Sequence, residues 1–303
     1  MKLGMIARPM PESFDEAKKY GLSFIEFDCN YVEPGAPARS PDGFGMLAQV
    51  DQWKENIART GVDVGAIGRW GSMIIGADGK IVDSEFDQVK ALIDCAAAIG
   101  TKNYLVSVNY NDELTLYKNL TASINYLNEV VAYAAKKDIT VSIVNCGMGN
   151  NYIRQPEMWK IVLPDVPGLK IKYDPSHSFI HGGPNGAYME EAMNWGDYFG
   201  YVHIKGVVQG AAHGSSNMSS MMKLMQLEGV REIMQKQMEE NMRSYDNPPA
   251  GMDVINWPVF FALLYKSHYD GLLSLEPHSR TWRGELGDKG IQFSIDYIRK
   301  FML

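Results

Sequence analysis

The sequence alternates short apolar runs with longer amphipathic stretches, and this alternation repeats eight times along the chain. Such a pattern is typical of parallel β-strands joined by helices. Phe86 to Ala98 and Leu116 to Ala135 are two of the clearest candidate helices, because their apolar residues recur at helical spacing. The candidate strands are Leu3 to Ala7, Ser23 to Asp28, Asp63 to Gly68, Asn103 to Val108, Thr140 to Val144, Leu169 to Asp174, Tyr201 to Lys205 and Leu272 to Glu276.

Eight strand and helix units favour closure into a (β/α)8 barrel, the α/β fold known as the TIM barrel. The 303 residues fit one such unit. A doubly wound open sheet would also alternate strands with helices, but it usually carries a glycine-rich phosphate-binding turn. Neither GxGxxG nor GxxxxGK[ST] occurs in this sequence. We therefore predict a single barrel domain over residues 1–303.

Two long segments interrupt the alternation, and segments of this length in a compact domain are usually lids, binding elements or interfaces. The first is Asn30 to Gly45, which is rich in proline and glycine. The second, Gly206 to Met252, follows the seventh strand and holds eight of the 18 methionines. Its apolar residues at helical spacing predict an amphipathic helix that serves as a lid or subunit interface, or packs on its own barrel. They are Leu227, Val230, Met234 and Met238.

Net charge, cysteine content and the first residues indicate which partners and which cellular compartment to expect. A formal net charge of −7 argues against nucleic-acid binding, which needs a basic surface. Three widely separated cysteines indicate neither a disulfide framework nor a zinc knuckle, so we expect a reducing cytoplasm. The first residues contain no long apolar run, and we expect neither a signal peptide nor a membrane anchor. Small-molecule or protein partners are favoured.

Three residues with metal-binding side chains lie at consecutive strand ends. The sixth strand ends KYDPSH, the seventh is YVHIKG and the eighth is LLSLEPH, which places Asp174, His203 and Glu276 at comparable depths. In a (β/α)8 barrel these ends meet at one mouth, where functional side chains are found. Carboxylate oxygens and an imidazole nitrogen suit Mn2+, Zn2+, Fe2+ or Co2+.

Each of the three has an ordinary structural explanation. A strand-end Asp often caps a helix, a strand His is often a hydrogen-bonded core residue, and a strand-end Glu often forms a salt bridge. Their occurrence at three consecutive strand ends favours the metal-binding interpretation, because independent structural causes would not produce that register.

The motifs KYDPSH, YVHIKG, INWPVFFALL and GLLSLEPH resemble those of the sugar phosphate isomerase/epimerase superfamily, the xylose isomerase-like barrels. The resemblance runs along nearly the whole chain and is strongest in its second half. It implies a divalent metal held by residues at the ends of the fifth to eighth strands. Carried over, those positions are Val144, Asp174, His203 and Glu276.

The fifth-strand position departs from the family, which usually has a glutamate there. Val144, in ITVSIVNC, offers no ligand atom. Asn145 or Cys146 would need a shift of strand register to face inward, and we keep Asn145 as a candidate contact to metal or substrate. The loss also removes one of the two glutamates with which family epimerases move a proton between opposite faces of a sugar.

Other polar residues near the strand ends are candidate proton carriers or substrate contacts. His177, His278 and Lys205 are the candidate acids and bases, against an alternative as loop residues bonded to solvent or backbone. Arg69 and Trp70 follow the third strand and are expected to offer a hydrogen-bonding fork and a stacking face to a sugar, or else to anchor the loop.

The resemblance suggests two enzyme functions. One is that of the catalytic subunits of C-glycoside deglycosidases, which use a manganese-type barrel and a small β-rich partner to cleave 3-oxo-glycosides by proton abstraction and elimination. The other is a ketose 3-epimerase or aldose-ketose isomerase. Manganese is expected first, with zinc, cobalt or iron as alternatives. The expected assembly is a homo-oligomer or a complex with a β-rich subunit.

Two other classes are less favoured. A metal-dependent nuclease on the same barrel would need a basic surface and further His and Asp ligands. A non-catalytic sugar-binding barrel would bind metal without exchanging a proton on any keto sugar.

Overall fold

The computed structural model describes residues 1–29, 42–147, 150–182, 187–209, 245–279 and 281–303. Eight parallel strands close into a barrel, which confirms the predicted fold. The barrel strands are β1 (Lys2–Ala7), β2 (Phe24–Asp28), β3 (Asp63–Gly68), β4 (Asn103–Val106), β5 (Thr140–Val144), β6 (Lys170–Tyr173), β7 (Phe199–Ile204) and β10 (Leu272–Leu275). Two short strands, β8 (Val208–Gln209) and β9 (Tyr245–Asp246), form a separate sheet. The barrel order is β1, β10, β7, β6, β5, β4, β3, β2, and β2 returns to β1.

The strand bounds differ from the predicted ones by a few residues at their ends. β6 ends at Tyr173 and β10 ends at Leu275, so Asp174 and Glu276 are the first residues after their strands. His203 lies within β7, beside Ser274 of β10 in the parallel register. The three predicted metal-binding residues therefore reach the same end of the barrel from neighbouring strands.

Helices surround the barrel, and several carry recognisable end signals. Thr115 caps α5 by accepting a hydrogen bond from the Lys118 amide, and Gly61 ends α3 in the left-handed conformation at φ 73°. The helices are α1 (Pro11–Lys19), α2 (Gly43–Ala48), α3 (Val50–Thr60), α4 (Asp83–Ala98), α5 (Leu116–Ala135), α6 (Pro156–Asp165), α7 (Pro175–Gly182), α8 (Ala187–Trp195), α9 (Trp257–Lys266) and α10 (Gly284–Arg299). α5 has the predicted bounds, and α4 begins at Asp83 rather than Phe86.

Aromatic side chains fill the layer between strands and helices. Phe27 of β2 packs against Trp53 of α3, with ring centroids 5.1 Å apart, and Tyr173 of β6 stacks on Phe199 of β7 at 4.2 Å. Burying one such side chain contributes about 1.5–3 kcal/mol, so this layer fixes the strands that carry the candidate site. No described helix is long and apolar enough to cross a membrane.

The two predicted interruptions are partly described. The last residues of the first segment belong to α2, which begins at Gly43 and is capped by Asp42. This end of the predicted loop is therefore helical. In the second, β8 pairs antiparallel with β9 and brings the two ends of the segment together. The predicted helix through Leu227, Val230, Met234 and Met238 lies outside the described residues.

Candidate active site

Asp174, His203 and Glu276 converge at the carboxyl end of the barrel. Each offers a ligand atom, and these atoms all lie within 4.8 Å of one another. Asp174 and His203 are fully buried, and the Glu276 side chain is 12% exposed. The sequence thus located a cluster of two carboxylates and one imidazole that opens to the mouth on one side.

Both nitrogens of His203 face carboxylates. Nδ1 lies 2.8 Å from Oε2 of Glu276, and Nε2 lies 2.7 Å from Oε2 of Glu26, a buried residue of β2. Burial alone would lower the pKa of His203, but the negative charge of Glu26 outweighs it and raises that pKa above its usual value. The pKa of Glu26 is lowered, because His203 and Lys172 outweigh the effect of its burial.

One carboxylate oxygen of Asp174 accepts no hydrogen bond from the residues that the structure describes. Its Oδ1 accepts from the Ser176 amide at 2.8 Å, whereas the buried Oδ2 accepts none from this part of the chain. His177 Nε2 is 3.4 Å from that oxygen. Burial would raise the pKa of Asp174, but positive charge on His177, Lys172 and Lys205 lowers it. A buried, ionised oxygen without a partner is costly unless a cation satisfies it.

Glu276 is surrounded by donors. Lys205 Nζ donates to Oε1 at 2.6 Å, and His278 Nδ1 lies 3.1 Å from the same oxygen. Burial would raise the pKa of Glu276, but Lys205 and the two histidines hold it well below its usual value. The pKa of Lys205 is raised, because Glu276 and Asp174 outweigh its burial. Lys205 therefore stays charged at neutral pH.

The donor set fits a divalent metal ion. Two carboxylates and an imidazole are the ligands that Mn2+, Zn2+, Co2+ and Fe2+ share, and the unpartnered Asp174 oxygen lies within the cluster. Three protein ligands leave coordination positions for water or substrate. The Lys205 ammonium already partners Glu276, so a metal would share that carboxylate with it.

The fifth-strand position is apolar in the structure as in the sequence. Val144 is fully buried in a cluster inside the barrel with Tyr201 of the seventh strand and Trp70 at the mouth. The other members are Ile6, Ala66, Leu105 and Cys146. Side chains from five strands meet in this cluster, so the Val144 side chain points into the barrel. The fifth strand therefore contributes methyl groups to the barrel interior and no ligand atom at this position.

A family model described as a xylose isomerase-like TIM barrel matches residues 14–301. The chain belongs to this family. No curated protein is significantly similar to it in sequence.

Solved structures share the whole xylose isomerase-like barrel at low sequence identity. The 3-keto-D-glucoside 4-epimerase YcjR from E. coli is 14% identical with a TM-score of 0.64, and 99% of each chain is covered. A D-allulose 3-epimerase from Methylomonas sp. is 16% identical with a TM-score of 0.68, covering 99% of this chain and 98% of that one. A D-psicose 3-epimerase from Clostridium cellulolyticum is 13% identical with a TM-score of 0.67, covering 100% and 99%. At such identities the likeness shows the fold.

The predicted proton carriers occupy different depths of this xylose isomerase-like site. His177 is the more enclosed histidine, with its side chain 17% exposed, and it is hydrogen-bonded to Cys146. His278 is 61% exposed, and its Nδ1 lies 3.1 Å from Oε1 of Glu276. Lys205 is 11% exposed and pairs with the same oxygen at 2.6 Å. Each of the three therefore lies within 3.4 Å of a carboxylate oxygen of Asp174 or Glu276.

The predicted substrate contacts are placed differently from one another. Trp70 is buried at the mouth, and a Cβ atom at Gly68 would lie 2.7 Å from its indole ring. Arg69 donates to Glu85 of α4 at 2.8 Å and to Ser72 at 3.1 Å, and it is 4% exposed. Its guanidinium anchors the loop to α4, the alternative given above, and is not presented to the barrel mouth as a free fork.

Asn145 supports the site from behind. Its side-chain Oδ1 accepts from the Asp174 amide, its Nδ2 donates to the Asp174 carbonyl, and both distances are 2.9 Å. A further bond from Nδ2 reaches Ser178 Oγ at 3.1 Å. The amide is 1% exposed, so it positions the Asp174 backbone and, in this arrangement, is not directed at a metal or substrate.

Three polar residues inside the barrel were missed by the sequence reasoning. Glu26, Lys172 and Tyr201 are fully or almost fully buried in the barrel interior. Their signal was available as single polar side chains inside apolar strands, such as the glutamate of FIEFD and the second lysine of KIKY. A charged residue in the middle of a buried strand is rarely accommodated without a partner.

Proposed function

We propose that the chain is a divalent-metal-dependent enzyme that removes a proton from the carbon beside the keto group of a sugar. The observation that carries this proposal is the cluster of Asp174, His203 and Glu276, in which the buried Oδ2 of Asp174 accepts no hydrogen bond from the described residues. It stands at the end of the barrel where enzymes of this fold place their chemistry.

Asp174, His203 and Glu276 would hold the metal, with Mn2+ as the first candidate. When bound, a divalent cation supplies a Lewis acid that polarises a keto oxygen and so acidifies the neighbouring C–H bond. Lys205 stays protonated through its ion pair with Glu276 and adds positive charge near the same oxygen. Trp70 is buried in the apolar cluster with Val144 and would contribute to the apolar side of the substrate site.

The proposed substrate class is supported by the activities that the names of three similar structures give. One acts on 3-keto-D-glucosides and two act on free ketoses. All three substrates carry a keto group beside a carbon that bears a hydroxyl or glycosidic oxygen. We propose a keto sugar for this chain on the same basis, since its candidate metal-binding side chains occupy the corresponding end of the same fold.

His177 is the proposed base. It lies beside Asp174 and is largely enclosed, so its imidazole can be held against a substrate at the site. Glu276 is a weaker candidate, because Lys205 and His203 occupy its oxygens and lower its pKa. A positioned imidazole also has a pKa near neutral, which suits proton removal at the pH of the cell.

Elimination is favoured over two-base epimerisation because Val144 cannot return a proton. Removal of the C2 proton of a 3-oxo-glycoside forms an enolate, and its electron pair then forms the C1–C2 double bond as the C1 substituent leaves. One base and one acid for the leaving group complete that reaction. An epimerase instead needs a donor on the opposite face, and the apolar Val144 cluster occupies the position of the usual glutamate.

Ketose 3-epimerisation is the second candidate, and the two 3-epimerases among the similar structures favour it. In that case Cys146, which belongs to the same cluster as Val144 and is hydrogen-bonded to His177, is a side chain that could replace the glutamate.

The test is turnover in D2O with Mn2+ of a 3-keto-glucoside panel and a free ketose panel, followed by NMR. Elimination predicts loss of the C2 proton and release of the C1 substituent. Deuterium at C3 of a ketose together with its epimer would establish the second candidate instead. Metal binding without exchange on any keto sugar would contradict both enzymatic functions.

A further inference from the structure

Glu26 is an acidic residue at the centre of the barrel, and the function proposed above gives it no role. It lies in the middle of β2 between Ile25 and Phe27 and is fully buried. Isolated charges are rarely buried to this extent, so its hydrogen-bond partners define what it does.

Each oxygen of Glu26 faces one donor. Tyr201 Oη donates to Oε1 at 2.9 Å, and His203 Nε2 lies 2.7 Å from Oε2. A carboxylate accepts hydrogen bonds and cannot donate them, so Nε2 carries a proton towards Glu26. The other nitrogen, Nδ1, faces the cluster 2.8 Å from Glu276 Oε2 and by the same rule also carries a proton in the metal-free protein. A metal ion bound at the cluster would displace the Nδ1 proton and leave the one that Glu26 accepts.

We infer that Glu26 is a positioning residue that holds His203 as the Nε2–H tautomer, so that Nδ1 presents its lone pair to a metal ion. The inference rests on the proposed metal site. Carboxylates that accept from the far nitrogen of a metal-binding histidine fix both its ring orientation and its tautomer. Here the carboxylate comes from β2, across the barrel interior from β7.

A purely structural role would be different. Lys172 is also buried in the interior and contributes positive charge to Glu26, so the carboxylate also balances that charge. Loss of charge balance would destabilise the fold whether or not metal is present. Loss of tautomer control would weaken metal binding specifically.

Glu26→Gln separates these roles because Tyr201 favours one orientation of the new amide. The Tyr201 hydroxyl donates to Oε1 of Glu26 in the wild type, and an amide NH2 group at that position would leave the buried hydroxyl proton without this acceptor. The amide oxygen is therefore expected to accept from Tyr201, which turns the amide NH2 group towards His203 Nε2. That nitrogen must then be an acceptor, and the imidazole proton moves to Nδ1, where it blocks the metal. Tyr201→Phe added to Glu26→Gln frees the amide to rotate, so its oxygen can again accept from Nε2–H.

The experiment is a calorimetric titration of the metal-free protein with Mn2+ and Zn2+, for wild type, Glu26→Gln, Tyr201→Phe and the double variant. We expect Glu26→Gln to weaken metal binding by about 10–100-fold, the usual effect of losing such a partner. The Kd of Tyr201→Phe for the metal should lie within about threefold of the wild-type Kd, which is well below a tenfold change. The double variant should bind metal more tightly than Glu26→Gln alone.

Thermal melting in EDTA is the control for folding, and NMR of protein labelled with 15N-histidine gives the tautomer directly. The chain has six histidines, and the His203 signals are assigned from their loss in His203→Gln. Zinc-loaded wild type should show Nε2–H at His203. A His203 signal with the proton on Nδ1 would overturn the inference even if Glu26→Gln failed to fold.

The outcomes for the two proposals differ. Wild type that binds metal while folded Glu26→Gln binds it equally tightly would overturn the role of Glu26 and leave the metal site standing. Wild type that binds no divalent metal would overturn the metal site itself, and the role of Glu26 with it.

Discussion

The ammonium group of Lys205 lies 2.6 Å from Oε1 of Glu276, so a proposed metal-binding carboxylate is already paired with a buried cation. A metal ion must share this carboxylate and tolerate the neighbouring positive charge. Removal of that charge should strengthen metal binding even though it removes a polar contact. Loss of the Lys205 charge is therefore expected to raise the affinity for metal and to lower the rate of turnover.

We expect Lys205→Met to bind Mn2+ about tenfold more tightly, which corresponds to about 1.4 kcal/mol, and to turn over more slowly. Calorimetric titration and steady-state kinetics provide the two measurements. Lys289→Met is the matched control, since Lys289 pairs with Glu285 on the exposed face of α10. Weaker metal binding by Lys205→Met would show that the ammonium supports the site instead of competing with the metal.

Asp174→Ala, His203→Ala and Glu276→Ala should each reduce bound metal to background and abolish turnover. The three ligand atoms converge within 4.8 Å, so the loss of any one leaves too few donors and misorients the others. Combined variants should therefore add little to the single effects. Elemental analysis of dialysed protein measures the metal, with Asp51→Ala on the exposed face of α3 as the control. Unchanged metal content in all three would remove the basis of the proposal.

His177→Gln should keep metal affinity and lower kcat by about two to four orders of magnitude, the usual effect of removing a positioned base. His278→Gln should have a much smaller effect, because that side chain is 61% exposed and its ion-pair partner among the described residues is Glu276. Burial would lower the pKa of His177, but Cys146 and Asp174 outweigh it and raise that pKa above its usual value of about 6.5. Wild-type activity should therefore rise at a pH above that value, and this rise should be lost in His177→Gln. Near wild-type rates in both variants would point to another base.

A stability prediction concerns Asp253, at the neck of the segment after β7. Burial raises the pKa of Asp253 to about 7, although Trp257 Nε1 and the Gly251 amide donate to it. The unfolded value is about 3.9, so the native state favours the protonated form. Its contribution to stability is fully present below that value and is lost as the pH rises through about 7.

Asp253→Asn should therefore be less sensitive to pH than wild type. Its Tm relative to wild type should increase from pH 4 to pH 8, as measured by circular dichroism in a series of buffers. Asp51→Asn, on the exposed face of α3, is the control for removal of one negative charge. A constant Tm difference across this range would contradict the raised pKa.

The sequence predicted the barrel and the cluster for the same reason. Alternating apolar runs identified the strands, and the ends of parallel strands meet at one mouth, so Asp174, His203 and Glu276 could be placed together without coordinates. Glu26 could not be assigned this way. Its contact with His203 depends on two non-adjacent strands facing each other across the barrel, and on side chains long enough to span it.

Side-chain direction in loops was the other limit. The sequence places Arg69 and Trp70 next to each other after β3, and both were expected to contact a substrate. In the structure the guanidinium turns to Glu85 on α4, whereas the indole covers Gly68 at the mouth. The choice is made by a partner that lies in another helix, which strand periodicity does not reveal.

The last prediction restores the glutamate that the family usually has at the end of the fifth strand. Val144→Glu would place a carboxylate in the apolar cluster formed with Ile6, Leu105 and Tyr201. Without metal, this buried charge should destabilise the fold, because it has no partner there. A bound metal ion should offset that cost, since the new oxygen can act as a fourth ligand. The variant should therefore gain more in Tm from Mn2+ than wild type does.

Val144→Gln is the matched control, because it has the same length and polarity without the charge. It should be destabilised without gaining an enlarged response to Mn2+. In D2O, Val144→Glu should also exchange deuterium into a ketose at C3 faster than wild type, since a carboxylate there supplies the missing proton carrier for the opposite face. If Mn2+ raises the Tm of Val144→Glu and Val144→Gln equally, the side chain at this position does not reach the metal. The apolar fifth strand would then not be what separates this chain from the two-base epimerases.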